Sequence, residues 1–176
     1  WGGGAMRLAA APLYAADDTR AMVPGVRLRI VQANIPQRQK WQSQLRAGHL
    51  QRHVAMSQQQ SSNPPTHVIW PETAAPFFLA NDDAVRAAAA LAVPRDGVLI
   101  TGAPRRGGPE GARFWNSAHA ITGDGQIIAS YAKAHLVPFG EYVPLRGVLP
   151  IDKLVPGQGD FTAGPGRQTM TIPGLP

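Results

Sequence analysis

The 176-residue sequence contains no cysteine. Disulfides, thiolate-held metals and a cysteine nucleophile are therefore excluded within these residues. Nor does it contain an apolar run near the ~18 residues that mark a membrane-spanning helix. Its longest apolar runs are Ala74 to Ala80, which includes Pro76, and Ala87 to Val93. No secretory signal is visible. There is no Walker loop, no dinucleotide-binding glycine fingerprint and no Gly-x-Ser-x-Gly elbow. The five histidines include one i, i+4 pair, His49 and His53, with no glutamate between them. No metal site and no cofactor are expected. Charged residues make up only 16% of the chain, too few for a solvated, disordered polymer. No internal repeat occurs.

What is present is a globular composition, 44% hydrophobic, with 19 Gly and 17 Pro that imply many turns. Seventeen Lys and Arg against eleven Asp and Glu give a net charge of +6. The arginines are scattered, with Arg105-Arg106 as the one doublet, and no basic run carries interleaved aromatics. Nucleic acid is therefore not an expected partner. An anionic membrane surface suits the charge better, although plain solubility explains it as well. The sequence begins at Trp1, has no Met before Met6, and stops soon after the strand-like run Gln168 to Ile172. It reads as part of a longer protein.

Residues 1–25 lack a clear period and read as a linker, and residues 26–176 as one domain. Val26, Leu28 and Ile30 alternate with Arg27 and Arg29, a strand pattern. Gln37 to Gln60 reads as a helix with Gly48 as its candidate interruption. Thr66 to Trp70 reads as a short buried strand stopped by Pro71. Asn81 is placed to cap a helix from Asp82 to about Ala92. Gly97 to Ala103 reads as another buried strand, and Arg105 to Gly111 as a loop. Phe114 to Thr122 and Gln126 to Tyr131 flank Gly123-Asp124-Gly125, a hairpin signal. From Ala134 to Gly166 the chain is rich in proline and reads as loop. This order of elements indicates an α/β fold.

Three residues stand out for chemistry. Glu72 directly follows a buried strand, where a carboxylate beside Trp70 would suit a general base. An exposed loop glutamate is the plainer account. Lys133 ends the second hairpin strand and could hold an oxyanion as a fixed cation. A surface lysine is the alternative, and His135, two residues on, would share its side if the strand continued. Glu141 lies in Val137-Pro138-Phe139-Gly140-Glu141-Tyr142-Val143-Pro144, where Phe139 and Tyr142 should pack and Gly140 permits a tight turn. There it would either orient Lys133 or simply anchor the loop. Trp41 could line a pocket or pack a helix. Asn116 could offer an amide donor to a site or be an ordinary strand-face residue.

Taken in order, these segments become specific. Val31-Gln32-Ala33-Asn34-Ile35-Pro36-Gln37 with Trp41, Ile69-Trp70-Pro71-Glu72-Thr73-Ala74, Ile100-Thr101-Gly102-Ala103, Trp115-Asn116-Ser117, and Tyr131 through Leu145 resemble the apolipoprotein N-acyltransferase family of the nitrilase superfamily. Trp-Pro-Glu and Lys-x-His-Leu are shared with carbon–nitrogen hydrolases in general. The extension Val-Pro-Phe-Gly-Glu-Tyr-Val-Pro distinguishes the acyltransferases. The resemblance implies a nitrilase-like four-layer α-β-β-α sandwich, incomplete in this chain, and a Glu-Lys-Cys triad. Glu72 matches the general base, Lys133 the transition-state lysine, Glu141 a second essential glutamate and Trp41 a functionally important tryptophan. Asn116, Phe139 and Tyr142 are the accompanying substrate-binding candidates. The cysteine would lie beyond Pro176.

By the same resemblance, the reaction moves an acyl chain from a phospholipid, through a cysteine thioester, to the N-terminal amine of a diacylglyceryl-modified apolipoprotein. The site would face the periplasm from a bacterial inner membrane, and residues 1–25 would descend from a membrane segment. A soluble amidase or nitrilase on the same fold is the second reading, and a non-catalytic lipid- or peptide-binding relative is the third.

Overall fold

A computed structural model describes residues 22–144 and 160–176. Residues 1–21 of the expected linker, and the part of the Ala134 to Gly166 loop from Leu145 to residue 159, lie outside the described residues.

Five strands form one sheet in the order β1-β2-β3-β4-β5. These are β1 (Leu28–Ile30), β2 (His67–Ile69), β3 (Val98–Gly107), β4 (Arg113–Ile121) and β5 (Ile127–Ala132). The first three run parallel, with Leu28 opposite His67 and His67 opposite Val98. Parallel neighbours need a crossover. The connection from β1 to β2 carries the helices α1 (Gln37–Lys40) and α2 (Ser43–Ser57), and that from β2 to β3 carries α3 (Asp83–Ala90). The last three strands are an antiparallel meander.

The main core lies between the sheet and helices α2 and α3, where Leu50, Val68, Leu99 and Ile121 pack together. On the other face Val98 and Ala120 are covered by Met170, Ile172 and Leu175. His67 fixes that segment, since its Nε2 lies 2.8 Å from the Pro173 carbonyl. The fold is α/β, as expected. The described residues supply one helix layer and one sheet of the four-layer arrangement.

Several local expectations need correction. The helical segment breaks at Trp41-Gln42 and not at Gly48, which sits within α2 in open space. The buried face of α2 is Leu50, His53 and Ser57. Two of these three are polar, so the apolar pattern hid the face. They are buried because Trp70 covers them: its ring centroid lies 5.1 Å from that of His53, and its Nε1 donates to Ser57 Oγ at 2.8 Å. The cap of α3 is Asp82, whose Oδ1 accepts from the Val85 amide at 3.0 Å; Asn81 belongs to a preceding 3₁₀ turn.

Strand β3 runs on through Arg105 and Arg106, which had read as loop, because both pair with β4. The Arg105 guanidinium sits 4.4 Å from the centre of the Trp115 ring, a cation–π contact that replaces the missing apolar burial. Leu28 and Ile30 face away from the helices and are 51% and 76% exposed, while Val31 and Ala33 are buried. The stretch from Gln168 to Ile172 packs on the sheet without being a strand. The hairpin stands as expected, with Gly125 at φ 81° and Asp124 Oδ1 accepting from the Gln126 amide.

Candidate active site

Each chemical group of the site is placed by a backbone device. Glu72 follows β2 in a turn that lies directly on β3. Gly102 makes this possible: a Cβ there would stand 2.5 Å from the Thr73 nitrogen and 2.7 Å from the Glu72 Cα. The Ala75 amide donates to the Gly102 carbonyl at 3.2 Å, closing the turn on the strand. Thr73 has φ 52°, a costly value for a β-branched residue.

Lys133 lies one residue past β5. Its amide donates to the Asn116 carbonyl at 2.8 Å, and its own carbonyl accepts from the Gly164 amide at 2.9 Å. A Cβ at Gly164 would be 2.2 Å from the Ala132 oxygen, so only glycine lets the chain approach so closely.

Glu141 is held by its own loop. Its amide donates to the Val137 carbonyl at 2.8 Å, and its Oε2 accepts from the Val137 amide at 2.7 Å. The positive φ of that turn, 61°, belongs to Phe139 and not to Gly140, as the sequence had suggested. The Phe139 amide donates to the Tyr142 carbonyl at 2.7 Å, and the Phe161 amide ties the loop down through the Glu141 carbonyl at 2.8 Å.

These devices bring the three charged groups together around Asn116. The Asn116 amide Nδ2 donates to Glu72 Oε1 at 2.5 Å and to Glu141 Oε1 at 2.6 Å. Lys133 Nζ lies 3.1 Å from Glu72 Oε1 and 3.1 Å from Glu141 Oε2. Glu141 is thus satisfied at both oxygens, and its side chain is only 12% exposed. Burial works to raise its carboxyl pKa, but the Asn116 and Val137 donors and the Lys133 charge outweigh burial and hold it below the usual value. Burial likewise works to lower the Lys133 pKa, and the hydrogen bonds and charges of Glu141 and Glu72 reverse it, so the ammonium is held above its ordinary range.

Glu72 differs from Glu141 in one respect that matters chemically. Both of its contacts fall on Oε1, its side chain is 62% exposed, and Oε2 has no partner among the described residues. Lys133 likewise has three N–H donors, two of which are engaged with the carboxylates. Among the described residues one Glu72 oxygen and one Lys133 N–H are thus left without a partner, and both residues line a cleft whose walls include Trp70, Ile100, Asn116 and Tyr131.

The other sequence candidates fall differently. Asn116 is in the site, but its amide is committed to the two carboxylates, so it holds them in place. Phe139 and Tyr142 shape the Glu141 loop and do not line the cleft. Trp41 lines a separate cleft with Arg46, Phe77 and Phe78. His135 lies beyond the end of β5 and is exposed. Tyr131 was overlooked, although a residue two before Lys133 on a strand shares its face. Among the described residues no group of three His, Asp or Glu side chains could hold a metal.

A mixed α/β sheet with a glutamate after one parallel strand, paired to a lysine after an antiparallel one, defines a nitrilase-like protein. The chain belongs to the carbon-nitrogen hydrolase family, which residues 27–164 match. It is 36% identical over 168 residues to an apolipoprotein N-acyltransferase of Rhodopseudomonas palustris, covering 88% of this chain and 31% of that protein. Its identity to the protein of that name from Bradyrhizobium diazoefficiens is 36% over 187 residues, covering 98% of this chain and 33% of the relative. To that of Allorhizobium ampelinum it is 39% over 159 residues, covering 85% and 30%. The chain thus spans about a third of the length of these relatives.

Proposed function

We propose that this chain supplies the base and the oxyanion-stabilising cation of an apolipoprotein N-acyltransferase. The observation that carries the reading is the asymmetry of the two glutamates: Glu141 is saturated, while Glu72 keeps Oε2 free beside the Lys133 ammonium. A general base needs an uncommitted oxygen within reach of the proton it takes.

The nucleophile is a cysteine outside these 176 residues, which contain none. Glu72 Oε2 takes the thiol proton, and the sulfur attacks the ester carbonyl of a phospholipid. The free Lys133 N–H stabilises the tetrahedral oxyanion. The ester C–O bond then breaks, the lysophospholipid alkoxide takes the proton back from Glu72, and a thioester remains. In the second half, the α-amine of a diacylglyceryl-cysteine attacks the thioester, Glu72 takes its proton, the C–S bond breaks, and the released thiolate takes that proton from Glu72 to become the thiol again.

Such substrates place the site at a membrane, in this reading the periplasmic side of a bacterial inner membrane. Among the described residues no helix is long and apolar enough to cross one. The net charge of +6 favours an anionic lipid surface.

The test follows a labelled acyl chain in the complete protein, from phosphatidylethanolamine to a diacylglyceryl-cysteinyl peptide. Label in the peptide amide is the expected result. Release of label as free fatty acid, with hydrolysis of simple amides, would favour the amidase reading instead.

A further inference from the structure

Beside the Glu72 turn, against its residues Pro71, Thr73 and Ala74, lies a second cavity of about 180 Å3. Gln32, Asn34, Lys40, His49 and His53 bring polar groups to it, and Ile35, Pro71, Ala74 and Pro76 form apolar walls. Two of its residues, Asn34 and Thr73, hold positive φ values of 52° each, so its wall is built from unusual backbone.

Its polar groups are incompletely used. Lys40 ends α1 half-buried, and its ammonium makes one long contact, 3.5 Å to the Glu72 carbonyl, with no carboxylate in ion-pair range among the described residues. His53 is 2% exposed, and its Nδ1 lies 2.8 Å from the His49 carbonyl. A carbonyl can only accept, so Nδ1 carries the proton and Nε2 presents a lone pair. No described residue donates to that lone pair. Burial, opposed by the His49 contact and reinforced by the Lys40 charge, holds the His53 pKa down and keeps this neutral form. Among the polar atoms of the residues lining this cavity, His49 Nδ1 is fully buried without a partner among the described residues. Buried polar groups left like this are costly unless something satisfies them.

An occupant must offer an acceptor to Lys40 and a donor to His53. A carboxylate, ionised at neutral pH, lacks the donor and meets a lone pair at Nε2. An ammonium lacks the acceptor and meets Lys40. A secondary amide has both groups, and the apolar walls suit its flanking carbons. We propose that this cavity binds a backbone amide of the acceptor polypeptide, with its C=O on Lys40 and its N–H on His53 Nε2. This rests on the acyltransferase reading, which supplies a peptide acceptor next to Glu72.

The test compares two acceptors in the complete protein, a diacylglyceryl-cysteinyl peptide and the diacylglyceryl-cysteine methyl ester, which has no following amide. Lys40→Met should raise KM for the peptide roughly tenfold, as loss of a charged hydrogen bond implies. Any effect through the Lys40 contact to Glu72 falls equally on both acceptors, so the peptide-to-ester ratio of KM is what should rise roughly tenfold. An equal rise for both acceptors, or none for either, would overturn the proposal. A second measurement does not depend on catalysis. The His53 Nε2 resonance of 15N-histidine-labelled protein is titrated with N-acetylglycine N-methylamide and, separately, with acetate. A saturable shift with the amide alone, lost in Lys40→Met, is expected; no shift, or an equal one with acetate, overturns it. If no acyl-enzyme forms but the amide still binds, the acyltransferase reading fails and the cavity's preference stands.

Discussion

Asn116 is the residue on which the two carboxylates depend. With its Nδ2 shared between Glu72 and Glu141, and Lys133 shared between the same pair, four contacts hold three charges in one arrangement. Asn116→Ala removes two of the four and should slow acyl-enzyme formation about a hundredfold, the usual scale for misplacing a reacting group by an ångström. Asn116→Asp should be slower still, because it adds a third carboxylate. Rapid-quench measurement of thioester formation checks both.

The same cluster sets a pH window for stability. Glu141 is depressed below 4.5, so its contribution is present above that value and is lost as pH falls through the folded value. Lys133 is raised above 10.5, so its contribution is complete below that value and is lost as pH rises through the folded one. The stability gap between the native protein and Glu141→Gln should therefore be flat from about pH 5 to about pH 10 and narrow on both sides. Urea unfolding across that range measures it. Glu72, Lys133 and Glu141 were legible in the sequence because strand ends and a resemblance marked them. The role of Asn116 was not, since which side of a strand meets two distant loops depends on the register between β3, β4 and β5.

At the scale of elements, the site depends on close backbone approach more than on side-chain packing. Gly102→Ala puts a methyl group into the Glu72 turn, which has backbone atoms within 3 Å of that position. Backbone cannot rotate away as a side chain can, so the turn must move. We expect a loss of about 1–3 kcal/mol in stability, as for other overpacked sites. We also expect kcat/KM to fall further than that stability loss explains. Comparing activity at a temperature where the variant is fully folded separates the two effects.

The hairpin and the alternation of strands with helices were readable from turn residues and apolar runs. The end of β3 carries no strand signal in the sequence, because Pro104, Arg105, Arg106 and Gly107 owe their strand character to pairing with β4, helped by the Arg105 contact with Trp115. The face of α2 was hidden for a related reason: His53 and Ser57 take core positions because Trp70 packs its ring on the first and donates a hydrogen bond to the second. Local pattern cannot show a partner that lies elsewhere in the chain.

For the whole molecule, the class of fold followed from the order of elements, and the family from motifs spaced across more than a hundred residues. The two sheet faces, by contrast, could not be ranked from sequence. Leu28 and Ile30 alternate as core residues do, yet both stand exposed on the face opposite the helices, while the core is reached through Val31 and Ala33. The central claim is that Glu72 generates the nucleophile for a covalent acyl-enzyme. Intact-mass analysis of the complete protein after incubation with phospholipid tests it most directly. The account predicts an acyl adduct on a cysteine in the native protein and none in Glu72→Gln; an undiminished adduct in that variant would contradict it.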